Sequence, residues 1–345
     1  MNPLIWLTLV ISLTASTIIT MSSSHWLLAW LGLELNTLSI LPIIMKPHHP
    51  RAAEATTKYF LIQAAAATTI LLASTITAWQ TGSWSITHSG PTTTLLITTA
   101  IMLKLGAAPA HLWYPQVLQG TTMGAALAIS TWQKIAPLAL LYMTHNHLDH
   151  TTMLAVGIIS AMGGGWAGLN QTQTQMILAF SSIAHVGWLI TAMTLSPNLT
   201  TMTMMVYVVM AMATFVPLTT SATKTITDMG TTWPLSPPTL TMTLVALMSL
   251  GGLPPMGGFM PKWLILKELS TTGLMMFSTA LLLATLPSLF FYIRLAYLAM
   301  LTTPPTTTTT EYKWRFKLSQ PTYTAPMIMT TALLLPMTTA LHTST

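Results

Sequence analysis

Cysteine is absent from this chain of 345 residues, and charge nearly so: 12 Lys and Arg and 6 Asp and Glu make up 5% of it. The first absence excludes disulfides, thiol chemistry and iron–sulfur ligation. The second excludes an ordinary aqueous surface, because a soluble domain carries about 25% charged residues. The first Lys or Arg is Lys46, so neither a secretory signal nor an arginine-rich transit peptide is expected at the N-terminus. No phosphate-binding loop, dinucleotide fingerprint or hydrolase triad occurs. The formal net charge of +6 is not gathered into one polar surface, so no nucleic acid is expected as a partner.

What fills the chain is apolar length. With 52% hydrophobic residues and a mean hydropathy of +0.63, it reads as an all-α polytopic membrane protein. A helical span takes about 20 apolar residues, and about eleven such segments are predicted: 3–21, 25–45, 58–79, 94–112, 122–143, 149–169, 174–195, 200–220, 239–271, 274–298 and 325–342. The longer connections are 46–57, 80–93, 221–238 and 299–324, the last holding the run Thr306–Thr310. An odd number of spans puts the termini on opposite sides. Lys46, Arg51, Lys58, Lys224, Lys313, Arg315 and Lys317 then share the N-terminal side, against Lys267 opposite. The positive-inside rule makes that basic side the cytoplasm-like face, and Arg294 is expected to snorkel toward it.

Two segments look broken. Lys104-Leu-Gly106-Ala-Ala-Pro109 interrupts the fourth span, and Gly251-Gly252-Leu253-Pro254-Pro255-Met256-Gly257-Gly258 interrupts the ninth. Proline removes a backbone donor, and lipid cannot satisfy freed backbone groups, so such breaks belong inside protein or beside a wet cavity. They lie five spans apart, as expected of inverted repeats. Helices 1–5 (about 1–143) and 6–10 (about 149–298) would form two inverted five-helix repeats, with broken helices 4 and 9 and a C-terminal helix at about 325–342.

Against this apolar background stand Glu34, Lys104, Lys134, His185 and Lys262, with His111 just beyond Pro109. Four unpaired charges at mid-membrane would cost on the order of 10–14 kcal/mol. A chain that keeps them reads as one that moves charge. A carboxylate about 4 Å from a lysine contributes on the order of 4 kcal/mol, similar to the desolvation it offsets. Moving Glu34 toward or away from Lys104 would therefore switch that lysine between holding and releasing a proton. A static Glu34–Lys104 pair that only fixes packing would explain Lys104 but leave Lys134 and Lys262 with no carboxylate in the membrane. His185 reads equally well as a satisfied core histidine. His145, His147, Asp149 and His150 read as a solvated loop rather than a metal site, and Gly164 and Gly168 as close helix packing.

The stretches Met102–Trp113, Trp132–Pro137 and Gly251–Trp263, with His25-Trp26, Gly32-Leu33-Glu34, Leu169–Gln173 and Ser181–Trp188, resemble the antiporter-like subunits of respiratory complex I. The resemblance covers essentially the whole chain and implies a single antiporter-like transmembrane domain over 1–345. The animal mitochondrial form lacks three N-terminal helices of bacterial relatives, which fits about eleven spans. By resemblance, Glu34 and Lys104 are the charge pair, Lys134 the central relay, Lys262 the residue toward the exit side, and His185 a member of the hydrated axis, with His111 beside it. The resemblance implies no cofactor on this chain: NAD, FMN, iron–sulfur clusters and ubiquinone belong to other subunits, so the enzyme label, a proton-translocating NADH:ubiquinone reductase, applies to the assembly. It implies as partners the neighbouring antiporter-like chain 4, the small chain 4L and lipids, cardiolipin among them. It places the protein in the mitochondrial inner membrane, N-terminus in the matrix and C-terminus in the intermembrane space. Where many relatives carry basic residues after Asn170-Gln171-Thr172-Gln173, this chain has Gln175 and Met176, which puts in question any role for charge there. Two other readings stay open: a stand-alone cation/proton antiporter, and a structural assembly subunit with a non-conducting polar axis.

Overall fold

Threonine-rich apolar segments form helices here because their hydroxyls are absorbed locally. Thr17 donates to the Thr14 carbonyl (2.8 Å), Thr77 to Ser74 (2.7 Å), Thr98 to Leu95 (2.9 Å) and Thr214 to Ala211 (2.9 Å). A hydroxyl bonded within its own helix is neutralised toward lipid. A computed structural model describes residues 2–87, 90–234, 236–304 and 324–333. They form α1 (Pro3–Ser22), α2 (Trp26–Met45), α3 (Pro50–Thr81), α4 (Pro91–Leu105), α5 (Trp113–Gly120), α6 (Met123–Ser130), α7 (Trp132–Met143), α8 (His150–Ala167), α9 (Thr174–Leu195), α10 (Pro197–Ser221), α11 (Ile226–Gly230), α12 (Pro237–Gly251), α13 (Phe259–Thr271), α14 (Met275–Leu301) and α15 (Thr324–Leu333). By length and composition α1, α2, α3, α9, α10 and α14 are each long and apolar enough to cross a membrane. The Thr306–Thr310 run and positions 334–342 of the predicted last helix lie outside the described residues.

Three local differences from the sequence expectation have clear causes. Helix α3 starts at Pro50 rather than near 58: Pro50 occupies the first helical position, and the His49 ring accepts from the Arg51 amide at 3.2 Å. The polar residues Arg51 and Glu54, read as part of the connection 46–57, belong to its first turns, with Glu54 and Lys58 paired one turn apart at 2.5 Å. The predicted span 122–143 divides at Thr131, whose backbone (φ −110°, ψ −69°) separates α6 from α7. Beyond the first break the chain forms an extra helix, α5.

The chain divides into two compact units, 1–156 and 157–345. In the first, α1 packs on α2, α2 on α3, and α3 on α4 and α5, while α7 packs on α4, α1 and α2. Trp26, Ile40, Tyr59, Ile70 and Ile101 are buried there. In the second, α10 packs on α9, α12, α13 and α15, and α14 on α11, α12 and α13. Ile328 of α15 is buried with Ala213 and Ala246.

Helices α8 and α9 cross at small residues. A Cβ on Gly164 would lie 2.6 Å from the Ala184 nitrogen and 2.7 Å from the Phe180 carbonyl oxygen. Gly168 does not share that face: its Cβ would meet the Phe291 ring of α14 at 3.0 Å. The GxxxG spacing therefore serves two partners. Outward faces remain apolar, with Leu4, Leu7 and Ile11 on α1 and Leu283, Leu286 and Phe290 on α14 all more than half exposed, as expected of surfaces in contact with lipid or neighbouring chains. Arg294 turns inward within its own unit and donates to the Leu169 carbonyl beyond α8.

Candidate functional site

Both predicted breaks end their first half-helix in the same way. Gly106 (φ +70°) and Gly252 (φ +78°) adopt the left-handed conformation just past α4 and α12. At the first, Gly106 donates to Leu103 (3.3 Å) and Ala107 to Met102 (3.0 Å); at the second, Gly252 donates to Ser249 (3.0 Å) and Leu253 to Met248 (3.5 Å). These are Schellman motifs, which satisfy two of the last carbonyls and leave the final ones open. Each break carries a cis X–Pro bond, at Pro109 and Pro255. The helix then resumes at Trp113 and at Phe259, with Pro115 and Pro261 in corresponding positions.

The open carbonyls find long-range donors. In the first unit Gln63 Nε2 donates to the Lys104 carbonyl at 3.4 Å. In the second Lys262 Nζ donates to the Gly251 carbonyl at 2.9 Å. Lys104 and Lys262 therefore do not hold matching places. Aligned on the two glycines, Lys104 matches Leu250 and Lys262 matches Gln116. Both nevertheless stand at the carbonyl end of a half-helix, whose partial negative charge favours a cation.

In the first unit Lys104 and Lys134 line one cavity with Asn36, Thr37, Tyr59, Gln63, Trp113, Tyr114 and Gln133. The space open to the centre of a water-sized sphere is about 10 Å³, enough for about one water. Lys104 is 6% exposed and Lys134 3%. Lys134 Nζ sits 5.2 Å from the centre of the Tyr114 ring, a cation–π contact. Lys104 Nζ is buried and makes no hydrogen bond among the described residues, and the same holds for Oε2 of Glu34. Glu34 acts electrostatically on both Lys104 and Tyr59. Since neither the Lys104 Nζ nor the Glu34 Oε2 has a hydrogen-bond partner among the described residues, the two are coupled without a direct bond between those atoms. His111 lies in the break itself, and its buried Nδ1 has no partner among the described residues.

In the second unit Lys262 and His185 line a cavity with Trp188, Thr203, Tyr207, Met210 and Pro261. It offers about 20 Å³ on the same measure, and the His185 and Tyr207 rings are centred 5.3 Å apart. The break above it is tied down by α15, whose Thr331 carbonyl accepts from the Gly257 amide at 2.9 Å. Elsewhere, His147 Nε2 contacts the Thr87 carbonyl (2.8 Å) and His145 Nδ1 the Tyr142 carbonyl (3.1 Å), so this loop uses its histidines structurally. Among the described residues no three His, Asp or Glu side chains gather closely enough for a metal ion.

Residues 23–288 match the family described as NADH:quinone oxidoreductase/Mrp antiporter, TM, and residues 289–342 match that described as NADH dehydrogenase subunit 2 C-terminus. The NADH-ubiquinone oxidoreductase chain 2 of Carassius auratus is 49% identical, the alignment covering 100% of both chains. The chain belongs to the NADH-ubiquinone oxidoreductase chain 2 family. The chain 2 of Salmo salar is 47% identical, covering 99% of each. Among solved structures, a chain of Thermus thermophilus respiratory complex I superimposes with a TM-score of 0.84 at 24% identity, covering 96% of this chain and 77% of that one. A chain of the Mrp complex from Dietzia sp. gives 0.81 at 13% identity, covering 97% and 76%. These two likenesses show that the chain 2 fold is shared with an antiporter complex.

The charged residues of this chain 2 family member were legible against their apolar neighbours. The neutral polar shell was not: Asn36, Tyr59, Gln63, Tyr114, Gln133 and Tyr207 complete the two cavities. Nothing local marks them, because their partners stand far away in sequence, 97 residues in the case of Asn36 and Gln133.

Proposed function

We propose that this chain is a proton-translocating membrane subunit of respiratory complex I, coupling NADH:ubiquinone electron transfer to proton movement through Glu34, Lys104, Lys134, His185 and Lys262. The observation that carries the reading is the pair of buried, water-sized cavities beside the helix breaks, one holding Lys104 and Lys134 and the other Lys262 and His185. Lys262 is held by a helix end and the buried Lys104 Nζ makes no hydrogen bond among the described residues, which suits groups that gain and lose a proton in turn.

In this reading Glu34 moves against Lys104, Lys104 exchanges a proton with Lys134, and Lys262 with His185 serves the second unit. His111, in the first break, lies at the margin of the path. The redox groups stay in other subunits, with chain 4 and chain 4L as neighbours and cardiolipin among the surrounding lipids. The domain is a single antiporter-like one, with eleven crossings in two inverted five-helix repeats, 1–143 and 149–298, and a last helix at 325–342. The matching positions of Gly106 with Gly252 and Pro115 with Pro261 support such a repeat. The setting is the mitochondrial inner membrane, with the N-terminus in the matrix. The cationic cluster at the α2–α3 connection, where Lys46 Nζ lies 5.0 Å from the centre of the Trp6 ring, supports that orientation.

The test is protons pumped per NADH oxidised by reconstituted complex carrying Lys104→Met in this chain, with assembly checked on a native gel. A lower ratio in fully assembled complex is expected. An unchanged ratio with normal assembly would remove Lys104 from the path and favour a structural role for the axis.

A further inference from the structure

The cavity that holds Lys104 and Lys134 also holds a chain of neutral polar groups with a defined direction. Gln133 Nε2 donates to Asn36 Oδ1 at 3.2 Å. That bond leaves the Gln133 carbonyl oxygen as the acceptor for the Tyr59 hydroxyl, 3.5 Å away. Asn36, Tyr59, Gln63 and Gln133 are all less than 9% exposed, and all four line the cavity that holds both lysines. An amide cannot pass a proton along without passing through a high-energy tautomer, so Asn36 and Gln133 are fixtures rather than carriers. What they fix is Tyr59. Its hydroxyl is a long, weak donor to Gln133 within electrostatic reach of Glu34, whose Oε2 has no hydrogen-bond partner among the described residues.

A buried water needs two to four polar partners and about one probe sphere of room. The cavity meets both conditions, and Lys104 Nζ, an unpartnered donor among the described residues, borders it. We propose that Tyr59, held by the Asn36–Gln133 amide pair, is the positioning residue that seats a water between Lys104 and Lys134 and sets the proton step between them. The hydroxyl has Gln133 as its acceptor. This inference rests on the proton-translocating reading above and adds three residues to it.

The experiment compares three forms of the assembled complex: Tyr59→Phe, which removes one oxygen, Gln133→Met, which keeps the volume but removes the acceptor, and Lys104→Met. Protons pumped per NADH oxidised are recorded against pH for each, with assembly followed on native gels. The expected result is a loss of pumping with Tyr59→Phe and Gln133→Met approaching that of Lys104→Met, together with a displaced pH profile that a purely structural change would not produce. If Lys104→Met lowers the ratio while both other variants pump normally with an unmoved profile, the assignment of Tyr59 is overturned and the broader reading stands. If Lys104→Met itself pumps normally, both fall together. Should Tyr59→Phe fail to assemble, Gln133→Met alone decides between these outcomes.

Discussion

The Lys262 ammonium donates to the carbonyl of Gly251 at 2.9 Å, so the lysine after the second break closes the helix before it. One residue on, Gly252 has φ +78°, and a Cβ there would lie 2.9 Å from Nζ, 3.1 Å from Cδ and 3.2 Å from Cε of the same lysine. The break and the lysine are thus one object, and what deforms one must displace the other.

Gly252→Ala should therefore do two things. An alanine in the left-handed region costs roughly 1–2 kcal/mol, and its methyl would push Lys262 off the α12 terminus. Gly82→Ala is the matched control, with φ +69° and nothing within 4 Å of the added Cβ. Both variants should lower the thermal stability of the assembled complex. Only Gly252→Ala should also lower protons pumped per NADH; equal ratios in the two would separate Lys262 from the break.

A second expectation concerns the α8–α9 crossing. At Gly164 an added Cβ meets backbone atoms of Phe180 and Ala184, and backbone cannot yield as a side-chain tip can. Gly164→Ala should cost about 1–3 kcal/mol by overpacking and tilt the helix that carries His185. Gly124→Ala, with nothing within 4 Å of its Cβ, should be neutral or slightly stabilising. Midpoints of thermal unfolding in detergent would order the two, and equal values would show that the crossing has slack.

Outside the membrane-spanning segments, Asp228 offers a pH test. Its carboxylate accepts from the Thr225 amide at 2.8 Å and the Lys224 amide at 3.2 Å, while Thr225 Oγ1 caps the Asp228 amide. The Thr225 bonds first, and then Lys224, hold its carboxyl below the usual range. A group with a depressed folded-state pKa stabilises the fold fully above its unfolded value of about 3.9 and loses that contribution as pH falls through the folded value. Protection of the Thr225 amide against exchange, taken relative to the intrinsic rate at each pH, should therefore hold at neutral pH and fall in acid, below the ordinary carboxylate range. Asp228→Asn should exchange faster at neutral pH and show less of that acid response. A wild-type profile in the variant would refute the capping role.

What the sequence made legible and what it hid have the same cause. Lys104, Lys134 and Lys262 stand out because a charge among apolar neighbours costs several kcal/mol, so single positions carry the signal. Gly106-Ala-Ala-Pro109 and Gly251–Gly258 were readable as breaks because proline and left-handed glycine act locally. The division at Thr131 left no such mark, since threonine inside a helix is common in this chain and its hydroxyl simply bonds Leu127, four residues back. The Asn36–Gln133–Tyr59 bridge was hidden for a different reason: it joins α2, α7 and α3, and the bond exists only after they pack.

The last prediction separates the two jobs of Lys262. Lys262→Met removes both the proton-binding amine and the donor to Gly251, leaving a buried carbonyl open at a cost of about 1–3 kcal/mol. Lys262→Gln removes only the amine, because its amide, one bond shorter, can still donate toward the same carbonyl. If the lysine serves only to close α12, the glutamine variant should assemble and pump like wild type while the methionine variant is destabilised. If it also carries protons, both should pump less per NADH oxidised, and only the methionine variant should lose stability. Measuring the ratio and the thermal midpoint on the same preparations distinguishes these cases. The absence of a carboxylate among the residues lining this cavity favours the second, since an ammonium held by a helix end alone can be discharged without leaving a buried anion behind.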